Sequence, residues 1–275
     1  MLQKPMKLAL NGATTMRASL EVDVAAGKAA GFDYIEIWAA KLRTFLSHNS
    51  IADLKQLVGH AGVPPLSINS IEHITFRDAA AYDVIKQECR ELSQIAGEIG
   101  CPYIVVVPGR LPPGDVDVVE ESVHVLTELC DIAAEHGVGL GFEFLGQPDC
   151  SVPTLDLAEE IVRTAARDNL GLVIDSFHFY AGGSNAAMIE KLDPRQIYIF
   201  HINDAEDLPR AQLEDRHRLL PGLGILPLGE MIAAFRSIGY DGVASVEIFR
   251  PEYWERDPFE LAREAHTAAE QIVNS

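Results

Sequence analysis

Four ionisable side chains close short apolar runs in the second half of the chain. They are Glu143 in Gly-Phe-Glu-Phe, Asp175 in Val-Ile-Asp-Ser, His201 in Phe-His-Ile and Glu247 in Val-Glu-Ile. Carboxylate and imidazole are ligands for hard and borderline divalent cations, and three oxygen donors with one nitrogen suit Mn²⁺, Co²⁺, Zn²⁺ or Mg²⁺. Taken singly, each position has a plainer account: a carboxylate paired to an arginine, or a histidine hydrogen-bonded in the core. Four on successive runs are harder to explain that way. Three carboxylates brought to one point repel, and a cation offsets the repulsion. The absence of cysteine from the set argues against a closed structural zinc site.

Further candidates follow these runs. His178 stands three residues past Asp175, and after His201-Ile-Asn-Asp204 comes Asp215-Arg216-His217-Arg218-Leu-Leu-Pro221-Gly222-Leu-Gly224. A long loop carrying arginine and glycine suits a substrate-binding segment or lid. The competing account of Arg216 and Arg218 is salt bridging to an acidic surface, and that of Pro221–Gly224 is a turn. Asn11, Glu36 and Asn69 also end apolar runs, where structural hydrogen bonding is the commoner role. His48, His60, His124, His136 and His266 fall in or beside helical patterns and are assigned none.

The elements that must position these residues alternate along the chain. Strand-like runs are read at Lys7–Asn11, Tyr34–Trp38, Leu66–Asn69, Tyr103–Val107, Gly139–Phe144, Gly171–Asp175, Ile197–Ile202 and Ala244–Phe249. Several are apolar nearly throughout, as parallel strands buried on both faces are. Helical spacing occupies Val22–Ala30, Ile51–Ala61, Ala80–Ile99, Val118–His136, Leu155–Arg167, Leu228–Ile238 and Phe259–Val273. Gly31, Gly62, Gly100, Gly137 and Gly239 stand where helices stop. Eight strand–helix units fit one (β/α)8 barrel over residues 1–275, whose active site lies where the strands end. An open doubly wound sheet would call for a Gly-x-Gly-x-x-Gly turn after the first strand, and Asn11-Gly-Ala-Thr-Thr15 does not supply it.

Composition narrows the function. The chain has 275 residues, 48% of them hydrophobic, and 22 basic against 41 acidic residues give a net charge of −19. That field opposes a polyanion or an anionic lipid surface, so neither nucleic acid nor membrane is the expected partner. No run approaches the roughly 20 apolar residues of a membrane span. Met1 to Asn11 carries no basic segment leading into a long apolar one, so no export signal is read. Cys89, Cys101, Cys130 and Cys150 form no C-x-x-C pair, and reduced thiols in a cytoplasmic protein are the expectation. A homo-oligomer fits a barrel of this size, without an interface signal to specify it.

The strand-end series Glu, Asp, His, Glu, with Asp-Ser-Phe-His178 and Arg218-x-x-Pro-Gly-x-Gly224, resembles the xylose-isomerase-like sugar isomerases and epimerases. Within that family the chain is similar to the branch that isomerises inososes such as 2-keto-myo-inositol. The likeness runs from Leu10-Asn-Gly-Ala-Thr-Thr15 and Asp33-Tyr-Ile-Glu-Ile37 to Arg167–His178 and Ser245-Val-Glu-Ile-Phe-Arg-Pro-Glu-Tyr253, with Gln147-Pro-Asp-Cys150 and Val125-Leu-Thr-Glu-Leu129. The resemblance implies one divalent metal held by Glu143, Asp175, His201 and Glu247. It also implies His178 and Arg218 on substrate oxygens, and inositol catabolism as the setting. Glu143 and Glu247 are then the acid and base that move a carbonyl through an enediolate.

Asp215-Arg-His217 is closer to the metal-dependent abasic-site endonucleases of the same superfamily, which leaves room for a second ion or another use of the loop. That reading needs two more histidines near the ends of the third and fourth strands, where only His73 is present. A ketose 3-epimerase, a hydroxypyruvate-type isomerase and an inosose dehydratase share the metal and glutamates. A barrel that binds without catalysis is the remaining class.

Overall fold

The computed structural model describes residues 6–275; the first five residues of the segment read for an export signal lie outside them. Eight parallel strands close into a barrel in the order β1-β8-β7-β6-β5-β4-β3-β2. They are β1 (Lys7–Asn11), β2 (Tyr34–Trp38), β3 (Pro65–Ile71), β4 (Tyr103–Val106), β5 (Gly139–Glu143), β6 (Leu170–Asp175), β7 (Ile197–Ile202) and β8 (Val243–Val246). The helices outside are α1 (Leu20–Ala30), α2 (Ala39–Leu46), α3 (Ile51–Ala61), α4 (Ala79–Ile99), α5 (Val118–Ala134) and α6 (Leu155–Ala165). Then come α7 (Ser176–Ala181), α8 (Ala186–Ile189), α9 (Leu228–Ser237), α10 (Pro251–Trp254) and α11 (Pro258–Val273). The five stop glycines all have positive φ, between 69° and 94°. Four short helices, α2, α7, α8 and α10, interrupt loops and were not legible as helical periods.

Side chains alternate across each strand, so each strand buries two faces. Outward residues such as Leu10, Ile35, Ile104 and Phe142 join the helices in the main core. Inward residues fill the barrel with a separate cluster of Ala9, Leu66, Val105, Val173, Ile199 and Val243. Tyr103 and Tyr198 stack at 4.3 Å near the strands' amino ends. A Cβ on Gly171 would lie 2.5 Å from the Tyr198 ring, so only glycine leaves room for that plug. The amino end is packed, and the polar chemistry is left to the carboxyl end.

Two boundaries differ from the sequence reading in ways that matter. The last strand stops at Val246 rather than Phe249. Thr14 replaces a neighbouring strand there: its hydroxyl donates to Val246 O at 2.8 Å and accepts from Ile248 N at 3.2 Å. The long loop after β7 doubles back as a two-stranded antiparallel ribbon, Asp204–Ala205 with Arg218–Leu219. Asp204 pins the return by accepting from Leu226 N at 2.8 Å and Gly222 N at 3.0 Å. A Cβ on Gly224 would fall 2.1 Å from Ala205 O, so the ribbon closes only with glycine there. The ribbon carries Arg218 to the barrel mouth. Among the described residues no helix is long and apolar enough to cross a membrane.

Candidate active site

Glu143 and Asp175 end β5 and β6, His201 is next to last in β7, and Glu247 lies one residue past β8. All four are buried, and one ligand atom from each falls within 4.8 Å of the others. The barrel therefore brings together the four residues that the sequence singled out.

Neighbours fix the orientation of each donor. His201 Nδ1 lies 2.9 Å from Glu143 Oε1 and 3.4 Å from Glu247 Oε2, while Nε2 lies 3.1 Å from Glu36 Oε1. Protonated, the imidazole donates from Nδ1 to Glu143 and from Nε2 to Glu36; a cation at the cluster would take the place of the Nδ1 proton while Nε2–H stays on Glu36, as in a carboxylate–histidine–metal relay. Glu36 is held in turn by Asn11 Nδ2 at 3.1 Å and by the Ser67 hydroxyl. Glu247 Oε1 accepts from Asn69 Nδ2 at 2.8 Å and Asn11 Nδ2 at 3.1 Å, which leaves Oε2 toward the centre. Asp175 accepts from His178 N and Asn203 Nδ2, both at 2.8 Å. Glu143 has His201 as its one hydrogen-bond partner among the described residues.

Four buried carboxylates thus face the Arg218 guanidinium and the His201 imidazole. Burial, with Glu143 and Asp175 adding to it, pushes the Glu247 carboxyl up to about 8 despite His201 and Arg218. Burial works against charging His201, yet Glu247, Glu143 and Glu36 hold its imidazole well above the usual range. Burial also opposes ionised Asp175 and Glu36; Arg218 in the first case and His201 in the second outweigh it and keep both below the usual carboxylate range. A cluster that draws protons onto two of its own members is short of positive charge.

Arg218 is 1% exposed and lies between the rings of Phe177 and Phe249, 4.9 and 5.2 Å from their centres. All three of its nitrogens are engaged. Nη1 donates to Asp175 at 2.7 Å and lies 3.3 Å from Glu247 Oε2, Nη2 meets His178 Nε2 at 3.1 Å, and Nε donates to Asp215 at 3.1 Å. Arginine only donates, so His178 Nε2 accepts and its proton sits on Nδ1, a buried donor with no partner among the described residues. Asp215 also accepts from Gln147 at 3.3 Å and ties the ribbon to the loop after β5.

A cavity of about 260 Å³ opens over the cluster, walled by Trp38, Val107, Leu145 and Phe249. Glu72, His73, Gln147 and Asp215 line it as well. It is small for a ligand pocket, which matches a single-ring substrate better than an extended one.

The remaining sequence candidates separate. Arg216 is exposed and pairs with Glu214 at 3.1 Å, the competing account given for it, whereas Arg218 is buried in the site. His217 accepts from Glu214 N at 3.0 Å and stands outside the ligand cluster. Asn11, Glu36 and Asn69 do make structural hydrogen bonds, but to the cluster itself. Asn203 carried a signal that went unread: it lies two residues past His201 and one past the end of β7, in the alternation that continues the strand.

The family model of the xylose isomerase-like TIM barrel matches residues 24–271. Inosose isomerases from Bacillus velezensis and Bacillus subtilis are each 38% identical to this chain over 273 residues, covering 98% of it and 98% of each relative. A crystal structure of the IOLI protein with a bound zinc atom superposes with a TM-score of 0.94 at 38% identity, covering 98% of both chains.

Proposed function

The chain belongs to the xylose isomerase-like TIM barrel family and is an isomerase, and from that premise we propose that it moves a carbonyl between adjacent carbons of a cyclic polyol ketone, with 2-keto-myo-inositol as substrate. The observation that carries this reading is the meeting of Glu143, Asp175, His201 and Glu247 under a cavity sized for one ring.

The donor set fits a divalent ion: a surplus of buried carboxylates, one imidazole nitrogen turned inward by Glu36's hold on the other, and a zinc atom in the structural relative. Glu143, Asp175, His201 and Glu247 would hold it. When bound, it supplies Lewis-acid polarisation of a carbonyl and the adjacent hydroxyl, worth several kcal/mol.

The protein's own groups do the rest. Shifting a carbonyl removes a proton from a hydroxyl-bearing carbon and returns one to the former carbonyl carbon, through an enediolate. Glu143 and Glu247 come from β5 and the end of β8, three strands apart around the mouth, so one carboxylate can take the proton and one can return it. Such a step is worth about 10²–10⁴-fold. Glu247, clamped by two amides and near Arg218, is the better fixed of the two; Glu143 is the freer. His178 offers its Nδ1–H to a substrate oxygen, and Arg218 enforces that tautomer while Asp215 holds Arg218. Trp38, Val107, Leu145 and Phe249 exclude water from the ring's apolar edge.

Incubation with 2-keto-myo-inositol and Mn²⁺ or Zn²⁺ in D₂O, followed by NMR, tests the reading. The expected result is an isomeric inosose with deuterium at the exchanged carbon. Turnover of open-chain ketoses but not of the inosose would favour the 3-epimerase reading; loss of one water to give a trihydroxycyclohexane-1,2-dione would identify a dehydratase.

A further inference from the structure

Behind the first loop lies a second group of buried charge that the reaction does not use. Lys41, on α2, is 8% exposed, and Asp23, on α1, is fully buried. Lys41 Nζ donates to Asp23 at 2.6 Å, Thr15 O at 2.8 Å and Gly12 O at 2.9 Å, which accounts for all three ammonium protons. Thr15 Oγ1 donates to the other oxygen of Asp23 at 2.7 Å.

The destination of these bonds is informative. Two of the three go to backbone carbonyls at residues 12 and 15, so the ammonium clamps both ends of a turn whose middle is Ala13–Thr14. The Thr14 hydroxyl bonds Val246 O and Ile248 N, the residues on either side of Glu247. At the near end of the turn, Asn11 Nδ2 bonds the Glu247 carboxylate itself at 3.1 Å. Past Val246 the barrel ladder has ended, and these contacts replace it.

We propose that Lys41 and Asp23 form a positioning knot that fixes Glu247 through the Asn11–Thr15 turn. Neither residue touches the substrate cavity's ligand cluster. The knot acts by holding the turn, the turn holds the backbone at 246 and 248, and the carboxylate keeps one angle of approach. This inference rests on the role assigned to Glu247 above.

The test replaces both charges together, Asp23→Leu with Lys41→Met, because a buried pair exchanged for apolar groups of similar volume usually leaves the fold intact. Two readouts are taken: Mn²⁺ affinity by calorimetry and amide hydrogen exchange at Ile248. The expected result is Mn²⁺ affinity about 10-fold weaker, within the range seen when a supporting contact to a ligand is lost. Ile248 exchange should be faster, with protection in the strands β4 and β5 unchanged. Thr14→Val should give the same losses, and combining it with the double variant should add little, as residues acting through one path do. Wild-type Ile248 exchange in the double variant, or losses that add in full, would overturn the knot. A wild-type protein that takes up no Mn²⁺ would instead overturn the metal reading, and Ile248 exchange would still decide the knot.

Discussion

Asp23 and Lys41 set one negative charge against one positive, and every ammonium proton has an acceptor. The barrel mouth sets Glu36, Glu143, Asp175 and Glu247 against the Arg218 guanidinium and the His201 imidazole. Both regions are buried and both are bound by short hydrogen bonds, yet they ask for different things. The first is complete within the chain and needs no outside partner. The second is short of positive charge, and it lies open to a cavity from which a cation can arrive. A buried charge without a full complement is costly, so the first cluster is stable as it stands and the second gains from a cation.

The sharpest way to break this contrast is Glu247→Gln. Turnover should fall by about 10²–10⁴-fold with the circular dichroism spectrum unchanged, since the amide neither accepts nor returns a proton. Retention of more than about a tenth of the activity would remove Glu247 from proton transfer.

Next comes a pair of single substitutions with opposite signs. Lys41→Met alone leaves Asp23 buried and unpaired, which should cost about 3–5 kcal/mol of stability in a urea titration. Glu143→Gln, measured without added metal, should instead raise stability by about 1 kcal/mol, because it removes one of several mutually repelling carboxylates at a site whose charge serves binding rather than stability. Destabilisation by both would show that the mouth carries no surplus of negative charge.

Glu36→Gln sharpens the contrast further. It keeps the shape but weakens the acceptor for His201 Nε2–H, and cation affinity in calorimetry should drop about 10–100-fold. An unchanged affinity would mean that Glu36 does not orient the imidazole.

The parts of this arrangement that the sequence made legible are those encoded locally. A strand buried on both faces reads as an apolar run, and a charged residue closing it is conspicuous, so Glu143, Asp175, His201 and Glu247 could be found without coordinates. The contacts that aim them were not legible, because they join residues far apart in the chain. Asn11 reaches Glu247 across β1 and β8, and Glu36 reaches His201 across the barrel, pairings that only closure of the barrel creates. Arg216 and Arg218 looked alike, and a two-residue ribbon pinned by Asp204 decides which is buried. The Asp-Arg-His triplet reads alike along its length, yet Asp215 bonds Arg218 at the mouth while the His217 ring accepts from a local backbone amide, outside the four-residue cluster. Lys41 went unread because α2 is only eight residues long and shows no clear period.

Anomalous X-ray diffraction from crystals grown with Zn²⁺ would test the central claim most directly. One peak about 2.0–2.2 Å from donor atoms of Glu143, Asp175, His201 and Glu247 is the expected result. The absence of a peak at those four residues, with Arg218 and protonated carboxyls filling the space, would contradict it.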